Sequence, residues 1–482
     1  MHALPPITTA PGPIRFGTDG WRGVIAADFT FERLYRAAGA AAKALQSAYG
    51  SNGSREIVVG YDRRFLSPDF ARTVAAAVVS VGLEPVLAAT WAPTPAFSWA
   101  AFSRKSLGAL VVTASHNPGS YSGLKLKSTH GGSVPPEVTA EVEALLNGGF
   151  ETPAASLTDF PHFDPWPDYC RELQSKVDLA AIRSAIADGR LGIWCDPMHG
   201  AAAGGLTRVL EAPVSELRSH GDPLFGGRSP EPLEANVPEL CAAVREGTNP
   251  LKVGIIFDGD GDRIAAVDAD GGFFSSQILI PVLIEHLAER RGYPGELVKT
   301  VSGSDLMPKV AQLFGRDVFE TPVGYKYIAD RMLAATVLLG GEESGGIGYG
   351  HHIPERDALL AALYLLEAIA LSGQTLGSLY ASLQERCNFH SHYDRIDLAL
   401  ADMAARARVQ QALETAPPTE IAGQAVTDCN RADGFKFRLA DGRWLMVRFS
   451  GTEPLLRLYC EAADAARVAE TLGWARTWAS AL

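Results

Sequence analysis

Short apolar runs alternate along this chain with longer segments whose apolar residues recur at helical spacing. One such segment runs from Phe31 to about Tyr49, and Thr30 stands at its N-cap position. Another begins at Ser67-Pro68-Asp69, with a proline and a carboxylate in the first turn, and should end at Gly82. The predicted buried strands lie at 56–60, 86–88, 110–112, 191–195, 253–257 and 336–339. This alternation of strands and helices favours mostly parallel sheets with helices on both faces.

Three of the predicted strands end in loops of small and polar residues. These loops are Thr113–Pro118, Asp258–Arg263 and Gly341–Gly346. Open α/β sheets bind their ligands beyond the carboxyl ends of the strands. We therefore expect three α/β units whose loops face one central cleft.

Changes in composition divide the chain. Prolines make residues 148–166 resemble a linker, and charged, turn-forming residues occur near 269–272 and again at 385–392. A helix of small residues is expected from about Ala201, and the last ninety residues combine a helix at 401–414 with hairpin-like strands. We predict four domains: three related α/β domains with mixed sheets at 1–160, 161–270 and 271–388, and a C-terminal α+β domain at 389–482.

The composition and net charge of the chain limit the kinds of molecule that it is expected to bind. The 482 residues are 47 % hydrophobic and 20 % charged, which is enough apolar material for several cores. The net charge is −12, and no Lys/Arg block is present, so we expect neither nucleic-acid nor membrane binding. An anionic ligand must then meet local clusters of positive charge. The N-terminal residues lack a signal-peptide pattern, and the six cysteines form no Cys-x-x-Cys pair, which favours a cytoplasmic protein with free thiols.

The loop Asp258–Arg263 places three carboxylates at alternate positions with glycines between them. Hard oxygen ligands of this kind suit Mg²⁺ or Ca²⁺. An EF-hand is excluded because Arg263 stands at the sixth position and Ala269 at the twelfth. A solvated acidic turn is the alternative interpretation of the same residues.

A serine, Ser115, follows the strand predicted at 110–112. It is not a hydrolase nucleophile elbow, because the Gly-x-Ser-x-Gly pattern is absent. Ser122 and Lys125 match Ser-x-x-Lys, but the companion motifs of β-lactamases are missing. No Gly-Lys pair exists, so a Walker A loop is excluded as well. Taken alone, a serine at the end of a strand is usually a turn residue.

Near the C-terminus, Arg448–Pro454 offers two hydroxyls and a glycine backbone, and Arg457 follows three residues later. Such a segment can form a phosphate cradle from backbone N–H groups and guanidinium donors, although a plain hairpin turn has the same composition. Further cations stand within glycine-rich motifs at Arg15, Arg22, Lys125, Arg263 and Lys326. At about 4 Å and an effective dielectric near 20, each phosphate–cation pair is worth roughly 4 kcal/mol before desolvation.

Taken together, these segments resemble the α-D-phosphohexomutases, the phosphoglucomutase/phosphomannomutase family. The motifs that carry the resemblance stand in the family's order at Phe16–Gly23, Thr113–Pro118, Asp258–Arg263, Thr321–Lys326, Gly341–Gly345 and Arg448–Pro454. They span nearly the whole chain, from Phe16 to Arg457. The family has four domains around a central cleft, three of them with related α/β topology.

The resemblance implies a phosphoserine at Ser115 and Mg²⁺ ligands at Asp258, Asp260 and Asp262, with the serine phosphate as a further ligand. Glu342 and Ser344 match the loop that holds sugar hydroxyls. The cations that match those near the transferred phosphoryl group are Arg22, Lys125, Arg263 and Lys326. The residues that match the loop for the other phosphate are Arg448, Ser450, Gly451, Thr452 and Arg457.

The implied chemistry is phosphoryl transfer with a sugar-phosphate partner. The phosphoserine donates its phosphate to a hexose phosphate, forming glucose 1,6-bisphosphate or a similar intermediate, which also serves as activator. Many bacterial phosphomannomutases carry His two residues after the loop serine, where this chain has Gly346. The candidates for general acid or base are therefore His116, Lys125 and His352.

Several alternatives stay open. A hexose-bisphosphate synthase, a phosphopentomutase or a phosphoglucosamine mutase would use the same motifs, and a sugar-phosphate phosphatase or a non-catalytic binding protein represents a different class. Glu342-Glu343-Ser344 resembles the loop of glucose and mannose mutases, whereas glucosamine-type mutases more often carry Gln at the place of Glu343. We therefore expect a preference for glucose phosphate over mannose phosphate, with a monomer and a dimer equally open.

Overall fold

The computed structural model describes residues 12–17, 19–156, 159–450 and 454–482. Its strands form one sheet in each of four successive domains. The sequence expectations at Gly451 and Thr452 lie outside the described residues. The predicted helix over Phe31–Tyr49 is confirmed, with the Thr30 side chain accepting a hydrogen bond from the backbone N–H of Arg33.

The first domain is built on a mixed six-stranded sheet. Its elements are β1 (Trp21–Val24), α1 (Phe31–Tyr49), β2 (Glu56–Tyr61), α2 (Ser67–Ser80), β3 (Glu84–Ala88), α3 (Thr94–Ser103), β4 (Gly108–Val112), β5 (Tyr121–Ser128), α4 (Pro136–Asn147) and β6 (His162–Phe163). The strand order is β1-β5-β4-β2-β3-β6. Strand β2 pairs in parallel with β3 and β4, whereas β5 runs antiparallel to β4 and β1.

The second domain has a five-stranded sheet in the order β11-β10-β9-β7-β8. Its elements are α5 (Trp166–Lys176), α6 (Leu179–Ala187), β7 (Leu191–Asp196), α7 (Gly205–Leu210), β8 (Ser215–Glu216), α8 (Pro238–Glu246), β9 (Leu251–Phe257), β10 (Ile264–Val267) and β11 (Phe273–Phe274). The helix expected from about Ala201 begins only at Gly205. The backbone N–H of Ala201 bonds instead to the carbonyl of Gly259, which holds this segment as turns against the acidic loop.

The third domain has four strands in the order β13-β12-β14-β15. Its elements are α9 (Ser276–Glu285), β12 (Glu296–Thr300), α10 (Leu306–Leu313), β13 (Val318–Thr321), α11 (Tyr325–Ala334), β14 (Val337–Gly341), β15 (Ile347–Tyr349), α12 (Ala358–Ser372) and α13 (Leu376–Arg386). Strands β12, β13 and β14 are parallel, and β15 returns antiparallel to β14. Among the described residues, no single helix is long and apolar enough to cross a membrane. Taken together, α12 and α13 have the length and composition of a membrane span, but the two helices are bent by 81° relative to each other.

The fourth domain is an antiparallel sheet in the order β16-β21-β20-β19-β18-β17, packed on two helices. Its elements are β16 (His392–Ala399), α14 (Met403–Thr415), β17 (Glu420–Ile421), β18 (Gln424–Asn430), β19 (Phe435–Leu439), β20 (Trp444–Phe449), β21 (Leu455–Ala462) and α15 (Ala465–Ser480). One large core of buried apolar residues runs through the first three domains, with a smaller separate cluster in the second and in the third, whereas the fourth domain has a core of its own. The other face of its sheet packs Trp444, Met446 and Tyr459 against Val301 of the third domain.

The mixed sheets predicted for the three α/β domains are confirmed, although the strand–helix alternation alone would favour mostly parallel ones. In each α/β domain, an antiparallel strand follows directly after one strand of the parallel set: β5 after β4, β10 after β9 and β15 after β14. The connections are the three polar loops, which are therefore hairpin turns rather than strand-to-helix turns. This repeated feature gives the three domains a related, mixed topology.

Candidate active site

The three hairpin loops meet where the first three domains adjoin. A Cβ atom on Gly259 would collide with the carbonyl oxygen of Ser115, so the acidic loop approaches the serine loop as only glycine allows. The backbone N–H of Ile264 donates to the carbonyl of Gly345 over 3.0 Å, which joins the acidic loop to the Gly341–Gly346 loop. The predicted cleft is thus lined by loops that touch through their backbones.

Ser115 lies buried at the junction between the serine loop and the acidic loop. Its Oγ donates a hydrogen bond to Oδ2 of Asp258 over 3.0 Å, and Nδ1 of His116 lies 3.3 Å from the same Oγ. The φ of Ser115 is +53°, a left-handed conformation that is uncommon for non-glycine residues and is enriched at functional sites. Burial, together with Arg263 and Arg22, holds the pKa of His116 well below its usual value, so its imidazole is neutral.

Asp258, Asp260 and Asp262 are fully buried, and one carboxylate oxygen from each lies within 4.8 Å of the others. Burial, with repulsion from the two neighbouring carboxylates, raises the pKa of Asp258 well above its ordinary value. Lys125 of β5 partly balances the negative charge of the aspartates, because its Nζ lies 2.8 Å from Oδ2 of Asp260 and 2.9 Å from Oδ2 of Asp262. A third carboxylate, Asp19, accepts from the same ammonium at 2.8 Å.

The donor set fits a hard divalent cation. Oδ1 of Asp260 and Oδ1 of Asp262 are buried without a hydrogen-bond partner among the described residues. Unpaired buried carboxylate oxygens are costly, and a cation ligated by oxygen removes that cost. The structure thus favours a metal site at these three aspartates over a solvated acidic turn, because none of them is exposed to solvent.

Two further predicted cations, Arg22 and Arg263, lie beside this cluster, and a third, Lys326, shares a cavity with Asp19. Arg22 donates to Oδ1 of Asn117, two residues after Ser115, over 2.6 Å. Arg263 has its Nε 3.9 Å from Oδ1 of Asp262, and that Nε is buried without a hydrogen-bond partner in the described part of the chain. Lys326 stands in the first turn of α11 and lines a cavity of about 220 Å³ together with Asp19 of the first domain. Arg22 and Arg263 place positive charge around the serine and its carboxylates.

In the loop after β14, the neighbouring carboxylates of Glu342 and Glu343 have different surroundings. Burial raises the pKa of the Glu342 carboxyl to about 7, against the opposing effect of Arg356, whose Nη1 lies 3.9 Å away. The Glu343 carboxylate accepts hydrogen bonds from Ser302 of the third domain at 2.6 Å and from Tyr459 of the fourth domain at 3.4 Å. Ser344 is half-buried, whereas Glu342 is buried.

In the fourth domain, Arg448 and Arg457 stand directly opposite each other on β20 and β21. Nε of Arg448 donates to Asp433 over 2.9 Å, and Nε of Arg457 lies 3.9 Å from Asp397. Ser450 follows β20, and its carbonyl accepts a hydrogen bond from Nε of Arg406 at 3.0 Å. The two arginines therefore share one face of the sheet, beside the start of the predicted phosphate loop.

The predicted acid/base candidate His352 lies apart from this cluster. Its Nε2 is 3.1 Å from Asp357, its Nδ1 is 3.5 Å from Glu172, and its ring stacks on Trp99 with centroids 5.7 Å apart. Burial lowers the pKa of His352, but the two carboxylates outweigh that effect and raise it. Its recorded contacts among the described residues include neither Ser115 nor the aspartates, so its surroundings are those of a charged residue at a domain junction.

Two arginines near the predicted site were not predicted from the sequence as site residues. Arg356 is buried and its Nη2 lies 2.6 Å from Asp19 and 2.9 Å from Asp262, so it ties the first domain to the acidic loop. Arg395 of β16 lies on the same sheet face as Arg448 and Arg457, because it pairs with Tyr459, two residues from Arg457. The sequence did carry a signal for Arg356: it stands in a run of charged residues directly before the strongly apolar helix α12, where a charged side chain is expected to be buried.

Comparisons with known proteins agree with this architecture. Family models described as phosphoglucomutase/phosphomannomutase match as alpha/beta/alpha domain I over residues 13–152, domain II over 167–271, domain III over 275–387 and C-terminal domain over 397–472. Together they cover most of the chain.

Two curated relatives and one solved structure illustrate the match. A phosphoglucomutase/phosphomannomutase of Thermococcus kodakarensis is 29 % identical over 472 residues, which are 95 % of this chain and 96 % of the relative. A phosphoglucosamine mutase of Carboxydothermus hydrogenoformans is 31 % identical over 462 residues, 93 % of this chain and 95 % of that one. A Thermus thermophilus structure assigned to the phosphomannomutases superimposes with a TM-score of 0.85 at 33 % identity, covering 97 % and 99 % of the two chains.

Four further relatives at 28–30 % identity are also named phosphoglucosamine mutase. The names thus differ in the sugar but agree in the reaction type, which is isomerisation by phosphoryl transfer. With matches in all four domains, this chain belongs to the phosphoglucomutase/phosphomannomutase family, the α-D-phosphohexomutases.

Proposed function

We propose that this enzyme interconverts hexose 1-phosphate and hexose 6-phosphate through a phosphorylated Ser115 and a hexose 1,6-bisphosphate intermediate. The observation that carries the proposal is the hydroxyl of Ser115, 3.0 Å from a carboxylate of the buried aspartate cluster. A phosphate on this oxygen would adjoin three carboxylates, an arrangement that requires a cation. A serine placed only to form a turn needs no such neighbours.

The residues that would hold Mg²⁺ are Asp258, Asp260 and Asp262, with the phosphate of Ser115 as a further ligand. When bound, Mg²⁺ would neutralise these charges and withdraw negative charge from the phosphoryl group. The chain's own cations supply the remaining neutralisation, because Arg22 and Arg263 lie beside the serine loop and the acidic loop. Phosphoryl transfer depends on such positioning and charge balance more than on covalent chemistry.

Each half-reaction moves one phosphoryl group and one proton. In the first, the bond from phosphorus to Oγ of Ser115 breaks and a bond forms from phosphorus to the oxygen of the free sugar hydroxyl, while the proton of that hydroxyl passes, through an acid/base group, to Oγ. In the second, the reoriented bisphosphate returns its other phosphate to Ser115. His116 is the better placed proton acceptor, since its neutral ring lies 3.3 Å from Oγ, whereas three carboxylates hold the Lys125 ammonium in its charged form.

The reaction is tested by supplying glucose 1-phosphate and measuring glucose 6-phosphate and inorganic phosphate, with and without glucose 1,6-bisphosphate. A mutase forms glucose 6-phosphate with little free phosphate, and the bisphosphate stimulates it. A phosphatase releases phosphate in proportion to substrate consumed, and a bisphosphate synthase accumulates the bisphosphate. A protein that only binds sugar phosphates forms none of these products.

For the sugar, we infer a preference for glucose phosphate, then mannose phosphate, then glucosamine phosphate. Glu342 and Ser344 offer hydrogen-bonding groups to hydroxyls, and sites built on such contacts reject sugars that lack them. The guanidinium groups of Arg356 and Arg263 already act on Glu342, which leaves less negative charge to receive an ammonium group. Comparing kcat/KM for glucose, mannose, glucosamine and ribose 1-phosphates checks this order.

Phosphoglucosamine mutase is the second candidate, because it is the name that several of the similar relatives carry. A clear lead for glucosamine 1-phosphate in the same panel would establish it in place of the glucose activity. A lead for ribose 1-phosphate would indicate a phosphopentomutase. Either result would leave the mutase chemistry unchanged.

Replacing Arg457 by alanine is expected to raise KM for glucose 1-phosphate about ten- to hundredfold, with kcat little changed. The side chain is 38 % exposed on the sheet face beside Ser450. A charge-assisted contact to the phosphate that is not transferred is worth roughly 1.5–3 kcal/mol and is made equally in ground and transition states. Steady-state kinetics checks the split between KM and kcat.

Arg476→Ala is the matched control, because Arg476 is an exposed arginine of α15 in the same domain. It should leave both constants unchanged. A fall in kcat for the Arg457 variant at constant KM would contradict the assignment of this residue to the distal phosphate.

We place the enzyme in the cytoplasm, acting on small sugar phosphates. All six cysteines lie in the described part of the chain and are free thiols, in keeping with a reducing compartment.

A further inference from the structure

A buried guanidinium occupies the centre of the loop that carries Ser115. Arg64 follows β2, and its Nη2 donates to the carbonyls of Ser115 at 2.6 Å and Asn117 at 2.7 Å. Its Nη1 donates to the carbonyls of Pro118 at 2.8 Å and Tyr121 at 3.0 Å. The serine loop therefore turns four backbone carbonyls toward one side chain from a different part of the sheet.

The hydrogen bonds from Arg64 act on the backbone conformation of Ser115, the proposed nucleophile. Ser115 holds a left-handed backbone, and such a conformation in a non-glycine residue persists only where the surroundings over-determine it. Converging carbonyl oxygens repel one another unless donors lie between them. The two terminal nitrogens of Arg64 supply those donors, one of them to the peptide group that follows Ser115.

Arg64 is itself held rigidly from two domains. Its Nε donates to Oδ2 of Asp62 at 3.1 Å, and its guanidinium lies 4.8 Å from the centroid of the Phe225 ring in the second domain. A Cβ on Gly119 would lie 2.5 Å from the carbonyl of Pro223, so the same segment of the second domain presses on the serine loop. The guanidinium is thus fixed between the loop it binds and the domain that carries the aspartates.

We propose that Arg64 is a positioning residue that holds the Ser115 loop in the conformation needed for phosphoryl transfer. The proposal rests on the proposed function, because it concerns how Ser115 gives and receives phosphate. Among the described residues, the only carboxylate to which Arg64 donates is Asp62, yet the charges of Asp260 and Asp258 also act on its guanidinium. Lysine cannot replace it, since an ammonium group lacks the planar fork that reaches four carbonyls.

The test compares Arg64→Lys with Arg63→Lys. Arg63 is the adjacent, partly buried arginine, which donates to the carbonyl of Ser219 at 2.7 Å and stacks on Trp91, so it makes similar contacts away from the serine loop. Three quantities are measured for each: kcat, KM for glucose 1-phosphate, and the rate at which Ser115 acquires phosphate from glucose 1,6-bisphosphate, followed by mass spectrometry.

For Arg64→Lys, kcat and the rate of Ser115 phosphorylation are expected to fall roughly a hundredfold, the effect of a misplacement of about 1 Å, while KM changes little. Arg63→Lys should stay near the wild-type values. An Arg64 variant with kcat within about threefold of the wild type, or with a loss confined to KM, overturns the proposal. If the wild-type Ser115 never acquires phosphate, the proposed function itself fails instead.

A second variant separates positioning from folding. Arg64→Ala leaves a space that added guanidinium ion can enter, so kcat should rise at least tenfold with the ion at millimolar concentration and not with sodium chloride at the same ionic strength. The assay is run at a temperature where circular dichroism shows the variant folded. Absence of rescue, or activity that merely follows the folded fraction, assigns Arg64 to stability and overturns the positioning role.

Discussion

Replacing Ser115 by alanine is expected to abolish isomerisation while the chain stays folded. The variant lacks the oxygen that accepts and returns the phosphoryl group, and no other hydroxyl is recorded in contact with Asp258 among the described residues. Removal of a covalent nucleophile costs about four orders of magnitude or more in turnover. The loss is measured as the rate of glucose 6-phosphate formation, and the fold by circular dichroism and thermal unfolding.

The expected change in stability is small. The variant loses one hydrogen bond, worth about 1 kcal/mol, and keeps a side chain of similar size. Ser120→Ala is the control, because Ser120 is an exposed serine of the same loop and undergoes the same chemical change. Near-normal activity of the Ser115 variant would falsify the phosphoserine mechanism, and loss of activity in the Ser120 variant would show that the loop is merely sensitive to substitution.

Replacing Asp258, Asp260 or Asp262 by asparagine is expected to lower kcat by about a hundredfold or more. Each change removes one charged ligand of the Mg²⁺ site, and metal ions contribute several kcal/mol of transition-state stabilisation in such reactions. Wild-type activity should likewise disappear on exhaustive chelation and return with added Mg²⁺. Asp317→Asn is the control, since Asp317 is exposed and remote from the acidic loop in the sequence.

Thermal unfolding distinguishes the aspartates from one another. In the metal-free protein, Asp258→Asn should cost little stability, because burial and its two neighbours already favour the neutral form of that side chain. Asp260→Asn should destabilise, because Lys125 and Thr94 both donate to its Oδ2 and a buried ammonium loses a charged partner. Mg²⁺ should raise the melting temperature of the wild type and of the Asp317 variant. Full activity after chelation would exclude the metal site.

The family fold was predictable because its signals are local. Buried strands such as 253–257 are short apolar runs, and each polar loop at their ends is contiguous in sequence. Six such segments match the family's motifs in the same order, and recognising them requires no knowledge of the tertiary contacts. Even the helix capped by Thr30 follows from one side chain and a backbone N–H three residues later.

Other expectations depend on contacts between residues far apart in the chain. His352 stands in a motif-like segment, and the structure pairs its ring with Glu172 of the second domain, so its role as acid or base stays a prediction. The helix expected from about Ala201 begins only at Gly205, and the Ala201 N–H before it bonds to the carbonyl of Gly259 in the acidic loop. In both cases the deciding partner lies far along the chain, where periodicity and spacing carry no information.

The sequence by itself determined the four-domain organisation, the candidate nucleophile and the three aspartates, because each is a local pattern of residue types. Only the tertiary structure decided which charges meet. It brought Lys125 to the aspartates, inserted Arg356 between Asp19 and Asp262, and placed Arg64 against the Ser115 loop. Those pairings depend on the register of strands and on how separate domains pack, and the energy of a buried charge depends on every group around it rather than on its neighbours in the chain.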